Sequence, residues 1–180
     1  MKVEINKSMK LSEHFTLGEL CKTKHVTEDG NIPSRVAIEN LKRICENWLE
    51  DLRYSYNTLY VHSGVRPQSK VAGDCTLAPD PGAAPETEEA IVINSGYRSP
   101  AVNLLAGGAK TSNHLSGCAV DIRCAGKEQI IRYASILLDI ADGTKQDFDE
   151  LLLEQHGNVC WLHFAVKPKD NRRRIGFIRT

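Results

Sequence analysis

The sequence predicts an α+β domain, an antiparallel sheet with helices packed on one face. Three observations carry this. The chain has 180 residues, no net charge, 41% hydrophobic and 26% charged residues, the balance of a soluble globular domain with a real core, here residues 1–180. Two stretches place apolar residues at helical spacing. Two others alternate strictly and each presents one wholly apolar face, as strands with one buried side do.

The elements follow in order. Thr16 and Glu19 have the spacing of a capping box, so a short helix is expected over 17–22. The polar stretch 27–33, with Gly30 and Asn31, reads as a loop. Ser34 caps a helix over 34–53, in which Val36, Leu41, Ile44, Cys45, Trp48, Leu49 and Leu52 share a face. Residues 57–62 read as a strand opening a Pro/Gly-rich segment, and 54–90 as a surface insertion. Residues 90–94 are a β-branched strand, and Ser99-Pro100 starts a helix that Gly107-Gly108 ends. Residues 118–124 alternate as a strand. Ile130, Ile131, Ala134, Leu137 and Leu138 mark a helix over 127–141. Residues 159–166 form a further strand. The tail 167–180 holds six basic residues and one acid, and is expected to be a solvated end with a last strand at 175–178.

Composition excludes several classes. There is no global basic excess to favour nucleic acid, and no apolar run approaches the roughly 18 residues of a membrane span. The opening MKVEINKSMKLSEHF lacks the apolar segment of a secretion signal, so synthesis in the cytoplasm is expected. The six cysteines are too sparse for a disulfide scaffold and form no C-x-x-C pair, and they read as reduced thiols. A monomer is expected.

The chemistry-bearing residues lie on the polar sides of the two alternating strands. Ala119, Asp121 and Arg123 share one face of the first, and Cys118, Val120, Ile122 and Cys124 the other. Trp161, His163 and Ala165 share one face of the second, and Cys160, Leu162, Phe164 and Val166 the other. Each strand therefore offers one polar ligand opposite its core side. His114, seven residues before Asp121 with Gly117 between them for a turn, joins these on one point. Two imidazoles and a carboxylate with a fourth position open are the ligand set of a catalytic zinc. The cysteines at 118, 124 and 160 fall on the apolar sides and read as core thiols. His14, His25 and His62 are given no role.

These residues form a longer ordered pattern. Ser95-Gly-Tyr97-Arg98-Ser is followed by Asn103, by Ser112-x-His114-x-x-Gly117-x-Ala119-x-Asp121 and by Trp161-x-His163. The pattern resembles the zinc D-Ala-D-Ala carboxypeptidase and peptidoglycan endopeptidase family, whose fold is shared with the hedgehog signalling domain. It looks most like the short carboxypeptidase-like branch of gut bacteria and their phages. The resemblance implies zinc at His114, Asp121 and His163, and Arg98 as a substrate- and oxyanion-binding group. It implies a peptidoglycan stem peptide as substrate, and so action at the cell wall after release. A guanidinium suits the role of Arg98, being permanently charged and donating in a fork, although a loop-pinning salt bridge is the other reading of this residue. Ser112 either hydrogen-bonds substrate or caps the His114 turn. Tyr97 lies beside Arg98, a substrate-site neighbour or a packing residue.

The general base departs from the relatives. Dipeptidases and phage endolysins of this type carry an acid three residues before the last zinc histidine, where this chain has Cys160. Hedgehog-type relatives place the acid further upstream. Glu154 is the nearest such acid here and is assigned the base, with Asp149, Glu150 and His156 as rivals. Two other readings compete with a stem-peptide hydrolase. One is a catalytically inactive zinc module that binds cell-wall peptide or a partner protein. The other is a phage structural protein with lytic activity.

Overall fold

The computed structural model describes residues 6–61 and 88–179. Helix α1 (Leu17–Leu20) begins at Thr16, whose hydroxyl accepts from the Glu19 amide while the Glu19 carboxylate takes the Thr16 N–H, the reciprocal box that the spacing predicts. Ser34 caps α2 (Arg35–Ile44). A π-helical stretch (Cys45–Leu49) then leads into α3 (Glu50–Tyr56). The predicted apolar face is buried from Leu41 to Leu52, but Val36 in the first turn is exposed.

Residues 57–61 are not a strand. They continue the helix as a second π-helical turn (Asn57–Val61). Asn57 explains this: its side-chain amide donates to Arg53 O and Glu89 O, and its Oδ1 accepts from Glu89 N, so the backbone finds partners within the helix and in the incoming chain. Most of the segment read as an insertion, residues 62–87, lies outside the described residues.

Among the described residues the sheet has five strands, in the order β1-β2-β4-β3-β5. These are β1 (Ile93–Ser95), β2 (Ala119–Cys124), β3 (Glu150–His156), β4 (Val159–Ala165) and β5 (Arg174–Arg179). Strand β1 is shorter and later than the β-branched run, and its register with β2 shifts between Ile93 and Ser95. Between β1 and β2 lies α4 (Pro100–Leu105), capped by Ser99. Helix α5 (Lys127–Thr144) runs three residues past the expected end, and Ile131 on it is exposed.

One pairing departs from a purely antiparallel sheet, since β5 lies parallel to β3. The turn after β4 crosses the start of β3, where buried Asp149 gathers Lys167 and Arg172, and Arg174 N donates to Asp149 O. The chain therefore enters β5 alongside β3 in the same direction. The basic tail is thus not a free solvated end: Arg172, Arg173 and Arg174 are all paired with acids.

The helices cover the apolar face of the sheet. Val120, Ile122, Leu151, Leu153, Leu162 and Phe164 join Leu41, Trp48, Leu52 and Leu137 in one core, with the Trp48 ring against Phe148 and Phe164. The described cysteines are free and buried. Among the described residues, no helix is long and apolar enough to cross a membrane.

Candidate metal centre

Strand register builds the site. Cys118 O accepts from Val166 N at 2.8 Å, so hydrogen-bonded pairs recur at Val120–Phe164 and Ile122–Leu162. Asp121 and His163 are Cα partners between them, in a non-hydrogen-bonded pair, where facing side chains come closest. His163 Nδ1 lies 2.9 Å from Asp121 Oδ1.

His114 arrives from a one-turn 3-10 helix (Asn113–Ser116). Its ring Nδ1 donates to Gly96 O at 2.5 Å, which turns Nε2 toward the ligand point, 3.3 Å from Asp121 Oδ1. Two glycines permit this approach. A Cβ on Gly96 would sit 2.4 Å from Leu20 O. Gly117 ends the turn at φ +69°, and a Cβ there would sit 2.4 Å from Ala37 O.

His114, Asp121 and His163 thus place one donor atom each within 4.8 Å of one another. With zinc–ligand bonds of about 2.0–2.1 Å, donors on a tetrahedral ion lie roughly 3.3 Å apart, close to the 3.3 Å and 2.9 Å that separate Asp121 Oδ1 from His114 Nε2 and His163 Nδ1. The residues fit a zinc ion. The centre is charged as a cation site should be. Burial works to raise the Asp121 carboxyl, but His114 and His163 outweigh it and hold it far below the usual carboxylate range. Burial likewise works to lower His163, and Asp121 and Glu150 overcome it and raise the imidazole to about 9 in the metal-free protein. Metal and proton therefore compete for His163.

The 95–99 turn brings in Arg98. Its Nη2 donates to Asp121 Oδ2 and its Nε to Ser95 Oγ at 2.8 Å, while Nη1 has no protein partner among the described residues. The turn is held by Asn31, which sequence reasoning left in a plain loop. Asn31 Nδ2 donates to Tyr97 O and Cys21 O, and its Oδ1 accepts from Ser99 N. The one hint was Gly30-Asn31, a pair suited to positive φ, which both residues adopt. Ser112 caps the His114 turn, accepting from His114 N at 3.4 Å. Tyr97 packs in the hydrophobic core rather than on the open face.

The acids separate by environment. Asp149 is 0% exposed and accepts from Arg172, Lys167 and Asn113. Glu150 carries Arg172 and Arg174 on one oxygen, and His163 with these arginines holds it down near 2. Glu154 differs. Burial pushes its carboxyl up; His163, Asp121 and His114 all act on it, the Trp161 side chain faces it, and no cation pairs with it among the described residues. Cys160 is buried on the apolar side, away from the ligands.

Residues 85–148 match the family model described as Peptidase M15. Over this segment the chain is similar to the M15 peptidases. A comparison with curated proteins finds no match. The M15 span holds Arg98, His114 and Asp121 and stops before His163, which the β2–β4 pairing brings to the same point. The M15 peptidases are zinc-dependent, in keeping with the His-Asp-His group.

Proposed function

We propose that the protein is a zinc metallopeptidase that hydrolyses peptide bonds in peptidoglycan stem peptides, of D-Ala-D-Ala carboxypeptidase or endopeptidase type, acting at the cell wall. The convergence of His114, Asp121 and His163 beside Arg98 and Glu154 carries this reading.

His114, Asp121 and His163 would hold a zinc ion, which when bound would supply Lewis-acid polarisation of the scissile carbonyl and a water made nucleophilic at neutral pH. Glu154 takes a proton from the attacking water as its oxygen bonds to the carbonyl carbon. It then gives that proton to the leaving amine as the C–N bond breaks. A carboxyl raised by burial suits both halves of this transfer. Arg98 Nη1 binds the developing oxyanion or a terminal carboxylate, while Nη2 and Nε stay anchored on Asp121 and Ser95.

Glu154→Gln is expected to lower kcat on a synthetic stem pentapeptide by about 100-fold or more, the usual weight of a general base, while metal analysis still finds one zinc per chain. Unchanged turnover in this variant would remove Glu154 from the mechanism. The buried thiol at position 160, where relatives keep an acid, favours a second reading, a zinc module that binds cell-wall peptide without cutting it. That reading predicts peptide binding and no turnover in the unaltered, zinc-loaded protein.

A further inference from the structure

We propose that Glu150, clamped by the arginines of the C-terminal segment, is the positioning residue for the third metal ligand, so that the basic tail is a working part of the metal centre. This rests on the zinc reading above. The two oxygens of Glu150 divide their partners. Oε1 takes Arg174 Nη1 at 2.9 Å and Arg172 Nη2 at 3.0 Å, both from the tail. Oε2 takes the Asn113 amide at 3.2 Å and lies 3.6 Å from His163 Nε2.

His163 turns Nδ1 toward Asp121 and Nε2 toward Glu150, so its metal-binding nitrogen is fixed by what Nε2 meets. A carboxylate there sets the tautomer and ring orientation of a ligating histidine. At 3.6 Å the Oε2 atom lies just beyond hydrogen-bond distance of Nε2 and is the carboxylate oxygen that this nitrogen faces. Asn113 precedes His114, so one carboxylate oxygen touches both the turn that carries the first ligand and the ring of the third. Glu150 itself is held because β5 runs parallel to β3 and pairs Arg174 with Glu150. Its side chain is 13% exposed, while the two arginines that hold it reach in from the surface. Glu154, on the same side of β3, has no such clamp, which separates a positioning carboxylate from a proton-transferring one.

The test measures zinc dissociation constants by competition with a chelating dye on the full chain, with melting curves of the metal-free proteins alongside. Glu150→Ala is expected to weaken zinc by about 10–100-fold, the usual loss for such a partner. Glu150→Gln keeps an oxygen able to accept from Nε2–H and is expected to recover much of that loss. Arg174→Ala, at an exposed arginine, is expected to weaken zinc several-fold with little change in the metal-free melting temperature. Zinc affinity unchanged in both Glu150→Ala and Arg174→Ala would overturn the positioning role. If Glu150→Ala melts early, Arg174→Ala and Glu150→Gln decide alone. An unaltered protein that binds no zinc would instead overturn the metal reading itself.

Discussion

Replacing His114 with alanine is expected to abolish zinc binding and hydrolysis together. His114 is 2% exposed, with Nδ1 committed to Gly96 O and Nε2 directed at the point shared with Asp121 and His163. Alanine leaves two ligands, too few for a zinc site of this type. Lewis-acid stabilisation worth several kcal/mol goes with the metal, so turnover should fall by about 1,000-fold or more. The Gly96 carbonyl also loses its donor, at about 1–3 kcal/mol of stability, so melting curves must accompany the assay. Stripping the unaltered protein with a chelator should give the same loss, reversed by added zinc. Full activity in the alanine variant or in the stripped protein would contradict the assignment.

Asp149→Asn is expected to be the most damaging conservative change to stability. The carboxylate is fully buried and receives Arg172 through Nε at 2.8 Å and Nη2 at 2.6 Å, Lys167 at 2.9 Å and Asn113 at 2.9 Å. An amide turns a donor toward cations that are left without their counter-charge. Weakening charge-assisted hydrogen bonds to a buried carboxylate in this way costs about 1.5–3 kcal/mol, read as a drop in unfolding free energy in urea at pH 7. The loss should also depend on pH. Burial works to raise the Asp149 carboxyl, and the bonds from Arg172, Lys167 and Asn113 outweigh it, so the folded-state pKa lies below the unfolded value of about 3.9. A depressed folded pKa gives stability that is fully present above the unfolded value and is lost as pH falls through the folded one. The gap between the two proteins should therefore narrow below about pH 4. A difference under about 1 kcal/mol at pH 7 would show that the cluster is not a structural pin.

The parts of this site that were legible in the sequence are those governed by short periodicities. Alternation in 118–124 and 159–166 placed Asp121 and His163 on the polar side of their strands, and the observed register makes them partners. His114 was legible through its spacing to Gly117 and Asp121. What escaped were features set by long-range pairing. Nothing local marks β3 as a strand, because Leu151-Leu152-Leu153 does not alternate. Leu152 is buried even on the ligand side, where it pairs with His163. The parallel pairing of β5 leaves no local trace, so the arginines of the tail read as a solvated charge run, and nothing local separates Glu150 from Asp149, Glu154 and His156 as candidates for the base. Residues 57–61 misled in the other direction. Their β-branched and aromatic content suggests a strand, and the hydrogen bonds of Asn57 keep them helical. Asn31 looked like loop polarity, whereas it holds the turn that presents Arg98.

The central claim, that this metal centre cuts the stem peptides of the cell wall, is tested most directly by digesting purified peptidoglycan with the zinc-loaded protein and identifying the products by mass spectrometry, with His114→Ala in parallel. The account predicts new stem-peptide fragments, absent from the His114→Ala digest, whose masses name the bond that is cut. An unchanged peptidoglycan profile from a protein carrying one zinc per chain would contradict it.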